Sequence, residues 1–336
     1  MRLSTLENLE SFALLGPGFG RGRFLLLTDL DTGGDGTRQL VYAPFEASGT
    51  NPRRFGVGSA MAVNIEFDIT PRAVNPLLHD EMYGDTIERI RTAIARGDVY
   101  QVCYTVRAAI GETTGAELLA LMCGRGVPRF AAWVRLPGGE EFVSASPELF
   151  FEIDGRHVHT EPMKGTAAPN AAGFLESSEK DLSELAMITD LVRNDLTQVC
   201  RPRSVRVACD RRLIELPYAL QTVSDVVGEM AAGVTPLDVL AVLHPGGSVT
   251  GAPKQAALAM IRQIEPGPRG AYCGSLGLWC DGQSTFSLLI RTAIRTPAGW
   301  IYGVGGGIVY DSDADQEREE LRIKLGALWT SVEHQE

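Results

Sequence analysis

The sequence has no CxxC pair and no zinc-type spacing between its six cysteines (Cys103, Cys123, Cys200, Cys209, Cys273 and Cys280) and its five histidines, so a thiolate metal centre is excluded. The thiols are expected to be reduced, in the core or close to the surface. No apolar run approaches the roughly 20 residues that a membrane span needs, and the start, MRLSTLENLESFALLGPG, has no basic segment leading into an apolar one. A cytoplasmic chain is the expectation. Cations are in deficit: 31 Lys and Arg stand against 42 Asp and Glu, for a net charge of −11. The basic residues are scattered rather than clustered, so nucleic acid is excluded as a partner. An acidic chain that handles an anionic small molecule has to gather a few cations, or a metal, in one pocket. Internal repeats, low-complexity tracts and a long linker are also missing.

What is present suits a large core: 336 residues, 44% of them hydrophobic. Residues 1–80 read as short strands and turns, with GPGFGRGR and DTGGDG between apolar runs. From Glu81, EMYGDTIERIRTAIARGD places Ile87, Ile90 and Ile94 on one helical face and stops at Gly97. A strand, VYQVCYTVRAAI, follows. Residues 129–159 alternate strand-like runs with PGG and DG turns, which predicts an antiparallel meander. Helices are predicted over 179–198, 253–263 and 313–329, with the strands GSLGLWC, TFSLLIRTAI and WIYGVGGGIVY between the last two. This mixed order predicts a single α+β domain of several layers.

Three features carry chemistry. In SELAMITDLVRNDL the apolar stripe through Met187, Ile188 and Leu191 also takes in Glu184 and Asp181, and in the last helix Glu317, Glu320 and Lys324 share a face with Leu321 and Leu328. These acids form either solvated i,i+4 ion pairs such as Glu320 with Lys324, or an oxygen set for Mg2+, which takes one or two protein carboxylates and keeps water or substrate oxygens. Second, GVGGGIV breaks the dinucleotide pattern at Ile308 and reads as a sheet bend or bulge, or as a backbone nest for a carboxylate. HPGGSVTGAPK imitates a phosphate loop, but Lys254 comes two residues late; Ser248 and Thr250 are read as hydroxyls for a ligand, or the segment as a plain helix entry. Third, Lys164 in EPMKGT is either a surface lysine or, in a pocket beside a metal and cations, an amine whose pKa falls until it is nucleophilic.

The segments GDVYQV, SASPELFFEIDG, EPMKGT, SELAMITDLVRNDLTQVC, GGSVTGAPK, RGAYCGSLG, LLIRTA, GGGIV and the closing E-x-x-E-x-x-x-K occur here in that order over about residues 82–330. Together they resemble the chorismate-utilising enzymes, which include anthranilate, aminodeoxychorismate, isochorismate and salicylate synthases. The resemblance implies a four-layer α/β/β/α sandwich, with residues 81–330 as the catalytic core, 1–80 as a shortened N-terminal part of the same domain and 331–336 as a tail. It implies Mg2+ held by Glu184 and Glu320 with support from Glu317 and Asp181. Arg291, Tyr272, Gly305, Gly307, Ser248 and Lys324 would hold the substrate carboxylates, with Thr166 near the ring and Glu148 as the general acid or base.

Two positions choose among the family's reactions. Gln101 stands where the water-adding members carry a lysine base, which argues for amination. Lys164 stands where anthranilate synthases usually have alanine and the aminodeoxychorismate-forming type has lysine. The resemblance thus implies component I of that type, converting chorismate and ammonia to 4-amino-4-deoxychorismate through a lysine-bound adduct, with ammonia from a separate glutamine amidotransferase subunit. Anthranilate formation, and a non-catalytic chorismate-binding role, are the alternatives. The sequence departs from the family at Gln221, where a histidine is usual, at Leu185, which follows Glu184, and at Cys103, where asparagine is frequent.

Overall fold

The computed structural model describes residues 1–20, 22–32, 37–47, 49–72, 74, 76–79, 81–167, 179–216, 219–280 and 282–329. In chain order the strands are β1 (Phe12–Leu15), β2 (Phe24–Asp31), β3 (Arg38–Ala43), β4 (Arg53–Val63), β5 (Leu77–Leu78), β6 (Gln101–Gly111), β7 (Phe130–Arg135), β8 (Glu141–Ser146) and β9 (Leu149–Asp154). They continue with β10 (His157–Thr160), β11 (Met163–Ala167), β12 (Arg206–Leu216), β13 (Ala219–Glu229), β14 (Gly251–Ala252), β15 (Ser275–Cys280), β16 (Gln283–Leu288), β17 (Thr292–Thr296) and β18 (Gly299–Ile308). The helices are α1 (Tyr83–Ala95), α2 (Gly115–Met122), α3 (Glu179–Thr197), α4 (Pro236–Leu243), α5 (Lys254–Ile264) and α6 (Ala314–Trp329).

The long strand β4 is shared by two arms of antiparallel strands. Its first residues, Arg53 to Gly56, pair with β3, and from Gly56 to Val63 it pairs with β2. One arm runs β2, β1, β7, β8, β17, β18 and β6. The other runs β3, β15, β16, β9, β10 and β13, with β11 and β12 also on β13. Side-chain alternation with period two gives each arm two buried faces. In β1, Ala13 and Leu15 join Tyr42, Phe142 and Leu276 in the cluster between the arms, while Phe12 and Leu14 join Leu118 and Leu119 of α2. Burying each such large side chain contributes about 1.5–3 kcal/mol. Helix α2 covers β7 and β8, α6 covers β18, and α3 covers β11 and β13. The layer order is helix, sheet, sheet, helix, an α+β arrangement of four layers.

The predicted meander over 129–159 is corrected by this topology. β7 pairs with β8 and β9 with β10, but β8 turns to β17 and β9 to β16. The four runs are two hairpins in different arms, and the chain crosses between them at Pro147 and Glu148. A second crossing, Leu289 to Arg291, joins β16 to β17 alongside it. The two are tied where the Ser146 hydroxyl donates to the Leu288 carbonyl at 2.6 Å and the Ala145 amide to the Arg291 carbonyl at 3.0 Å. Two side chains named from sequence, Glu148 and Arg291, therefore sit on paired crossings between the sheets.

The helix boundaries match the periodic pattern closely, but the buried stripe of α3 is displaced from the predicted one. Met187 and Leu191 are only partly buried, and the buried face carries Glu184, Leu185, Ile188, Thr189, Val192, Asp195 and Leu196. All six cysteines are free. Among the described residues no helix is long and apolar enough to cross a membrane.

Candidate active site

Lys164 enters the site on β11, where Gly165, at φ +71°, makes a bulge between the pairs Lys164↔Thr222 and Thr166↔Gln221. Glycine suits this position because a side chain would strain the left-handed backbone, and the bulge re-aims the strand directly after the lysine. The Lys164 side chain is 14% exposed, and its Nζ donates to Glu184 Oε2 at 3.0 Å. The Thr166 side chain lies outside the described part of the structure. On the opposite arm Gln101, at the start of β6, also donates to Glu184 Oε2, at 3.3 Å. One carboxylate oxygen from α3 thus receives a cation from one sheet and an amide from the other.

The glycine run of β18 lies alongside. Gly303 to Gly307 keep regular register with β6, opposite Arg107 to Cys103, and none has positive φ. The segment is neither a bulge nor a nest, which requires alternating backbone conformations; it is a strand with Val304 as its single side chain. What uses the bareness is the approach of other groups. A Cβ on Gly303 would lie 2.1 Å from the Tyr272 ring, and one on Gly307 would lie 2.2 Å from Gln101 Nε2 and 3.4 Å from Glu184 Oε2. A Cβ on Gly306 would meet Glu317 Oε2 at 3.3 Å, Lys324 Nζ at 3.7 Å and Glu320 Oε1 at 3.9 Å. Gly305 accepts a hydrogen bond from Lys324 Nζ at 2.8 Å through its carbonyl. Helices α3 and α6 therefore bring their acids to adjacent residues of one strand.

The α6 acids differ in surroundings. Glu320 and Lys324 form the i,i+4 ion pair at 2.6 Å with both side chains nearly half exposed. Glu317 is buried at 3% exposure and accepts from the Ser312 hydroxyl at 2.7 Å. Asp181 is half-buried on the first turn of α3.

Glu148 is closed in by the two crossings. Its carboxyl accepts from the Ser248 hydroxyl at 3.1 Å, and burial pushes its pKa up to about 7 although that hydroxyl and the charge of Lys164 pull it down. Ser248 thus faces the site. Thr250, read from sequence as a second ligand hydroxyl, does not: it is fully buried and bonds back to the Gly246 carbonyl at 2.9 Å, which closes the turn before α5. Among the protein groups alone, burial works to lower the Lys164 pKa, but the Glu184 carboxylate beside it, with Cys103 and Glu148 adding, outweighs burial and raises it. The fall expected from sequence is conditional on a metal and cations beside the amine.

A hard cation fits this place by its donors. The carboxylates come to one strand without forming a closed group: Glu317 and Glu320 approach the side-chain position of Gly306 and Glu184 that of Gly307, which alternate to opposite faces of β18, and Gln101 Oε1 is a buried oxygen with no hydrogen-bond partner among the described residues. A tighter acidic group, His159, Glu161 and Asp225 with ligand atoms within 4.8 Å of one another, does not fit. Arg212 already holds Asp225 at 2.7 Å and Glu161 at 2.6 Å, and Arg129 holds the other Glu161 oxygen at 2.6 Å. That group is an ion-pair network on the outer strands.

Residues 59–330 match the sequence profile described as chorismate binding enzyme. The chain belongs to that family. Anthranilate synthase component 1 1 of Haloarcula marismortui is 36% identical over 264 residues, covering 75% of this chain and 54% of the relative. The aminodeoxychorismate synthase of Streptomyces pristinaespiralis is 38% identical over 258 residues, 72% of this chain and 35% of the relative. This chorismate-binding chain therefore spans about half, or less, of the length of the curated relatives it matches. The menaquinone-specific isochorismate synthase of Escherichia coli shares the fold, with a TM-score of 0.81 over 98% of this chain and 91% of the other at 18% identity.

Sequence reasoning missed one buried support of this chorismate-binding fold. Arg269 donates to the Val249 carbonyl at 2.6 Å and the Cys103 carbonyl at 2.7 Å, and it pairs with Glu265, which in turn accepts from the Thr105 amide at 2.9 Å. The i,i+4 spacing of Glu265 and Arg269 was the available signal.

Proposed function

We propose that this chain is the chorismate-binding component of an aminodeoxychorismate synthase, with residues 1–80 forming part of the same catalytic unit as 81–330. The observation that carries the reading is Lys164: a buried primary amine at the junction of the two sheets, hydrogen-bonded to Glu184 and close enough to Glu148 for their charges to interact. In this reading the Lys164 ammonium first loses a proton to solvent, the free amine attacks C2 of chorismate, the ring double bonds shift, and the C4 hydroxyl leaves as water with the proton that Glu148 delivers. Ammonia then bonds to C4, and the C2–nitrogen bond breaks to restore the diene and free Lys164. A carboxyl with a pKa of about 7 holds its proton in half of the molecules at neutral pH, which suits a general acid. Gln101 has no base to offer a water at C2, which disfavours isochorismate formation. Tyr272, Arg291, Ser248, Lys324, Thr166 and the amides of Gly305 and Gly307 are assigned to the substrate carboxylates and ring.

Glu184 and Glu320, with Glu317 behind them, are the proposed Mg2+ ligands. An ion bound there would supply positive charge for a substrate carboxylate. Glu320→Gln should raise the Mg2+ concentration for half-maximal turnover by about tenfold or more. A metal titration that does not move removes Glu320 from the set. Ammonia is assigned to a separate glutamine amidotransferase subunit, and concentrated ammonium should replace it. The deciding assay incubates the chain with chorismate, Mg2+ and ammonium and separates products by mass. 4-Amino-4-deoxychorismate is expected; anthranilate with released pyruvate would overturn the reading, and relatives bearing both names stand at similar identity.

A further inference from the structure

The lysine that closes HPGGSVTGAPK has no part in that reaction sequence, yet its ammonium is among the best satisfied in the protein. Lys254 opens α5, and its Nζ donates to Asp195 Oδ2 at 2.6 Å and to the carbonyls of Leu243 at 3.1 Å and Val242 at 3.3 Å, which matches its three N–H groups. Both side chains of the ion pair are only 12% exposed. The two carbonyls end α4, where a helix leaves its last acceptors unpaired and favours a cation. That helix is firmly started, by Thr235 and Asp238 capping each other ahead of Pro236, so its end is a fixed point. Asp195 lies eleven residues beyond Glu184 in α3, three helical turns along the same face. One ammonium therefore joins α3, the end of α4 and the start of α5.

Between α4 and α5 runs the loop that carries Ser248. It sits tightly on α3: a Cβ on Gly247 would lie 2.5 Å from Leu191 Cδ2. The ion pair is no simple stabiliser, since burial lifts the Asp195 carboxyl above its ordinary value despite the ammonium beside it. His244, at the end of α4, stays neutral, its pKa pushed down to about 4 by burial with the Lys254 charge adding, so it brings no second cation.

We propose that Lys254 is a positioning residue: by riveting α3, α4 and α5 together it fixes the intervening loop and so holds the Ser248 hydroxyl on Glu148. The proposal rests on the reading of Glu148 as the proton donor. The groups that act on Glu148 are Ser248, carried on the riveted loop itself, and Lys164 from β11, which meets the rivet only through Glu184 of α3.

The test replaces the pair by apolar side chains of similar size, Asp195→Leu with Lys254→Met, because removing one partner alone leaves a buried charge and endangers folding. Infrared difference titration, each protein against its own Glu148→Gln form, reads the Glu148 carboxyl without relying on turnover. The titration midpoint is expected to move up in the double variant, as it should in Ser248→Ala, and the two changes combined should move it no further. Turnover of chorismate should fall about tenfold to a hundredfold, and Lys254→Arg should restore both readouts in part. A double variant with an unmoved midpoint and undiminished turnover, altered only in melting temperature, overturns the proposal. A midpoint that moves in an enzyme whose turnover is indifferent to Glu148→Gln supports the rivet and removes Glu148 from the chemistry instead.

Discussion

Lys164→Ala should reduce 4-amino-4-deoxychorismate formation to background with either ammonia source, because it removes the amine assigned to open the ring at C2. The substitution also leaves the Glu184 carboxylate, 8% exposed, without its ammonium and with the Gln101 amide donating at 3.3 Å, so a loss of activity has to be separated from a loss of structure. Lys164→Gln makes that separation: it keeps an N–H donor for Glu184 while removing the nucleophile. Both variants should bind chorismate in the presence of Mg2+, measured by equilibrium fluorescence or calorimetry, and neither should turn it over. Appreciable turnover by Lys164→Gln would make the lysine a counter-ion for Glu184 and end the covalent route.

Glu148→Gln should lower turnover by about 10²–10⁴-fold, the usual worth of a positioned general acid, and should at the same time make the fold more stable at alkaline pH. The sign follows from the direction of its shift. The folded carboxyl titrates at about 7, above its value in the unfolded chain, so the folded state keeps a proton that the unfolded state loses between the two. Stability from this group is complete below the unfolded value and is lost as pH rises through 7. The loss is on the order of 3 kcal/mol by pH 8, and glutamine does not suffer it. Urea unfolding at pH 5 and pH 8 checks this: the variant should gain on the parent protein between the two. A gain of equal size at both pH values would mean that the parent carboxyl does not titrate in that range. Wild-type turnover should accordingly fall on the alkaline side with an apparent pKa near 7.

The parts of this site that were legible in the sequence are those written in local periodicity. The inward acids of α3 and α6 follow from a 3.6-residue pattern, and Glu184 and Glu317 are indeed buried. The α3 stripe was nonetheless drawn off centre, because Met187 and Leu191 are apolar without being fully buried. Pairing between distant strands was not legible. Alternating runs over 129–159 look like one meander, and only the partners Thr292 for Ser144 and Ser287 for Leu149, some 140 residues away, reveal two sheets and the crossing at Glu148. The protonation of Lys164 was not legible for a related reason. Its direction depends on which charge lies nearest, and that charge sits on α3, in a different layer. Gly303, Gly305, Gly306 and Gly307 were read through turn chemistry, whereas their use is to let Tyr272, Gln101 and the acids lie against a flat strand. Lys254 looked like a displaced phosphate-loop lysine because its partner, Asp195, belongs to a helix that the motif does not include.

The claim on which the account turns is a bond between the nitrogen of Lys164 and the substrate ring. Intact-protein and peptide mass spectrometry of the chain, quenched in acid after incubation with chorismate and Mg2+ in the absence of any ammonia source, tests it directly. The account predicts a species heavier by one chorismate less one water, carried by the peptide that contains Lys164, and its disappearance when ammonium is added before the quench. An unmodified chain at every quench time, under conditions where the same preparation makes product once ammonium is supplied, would contradict it.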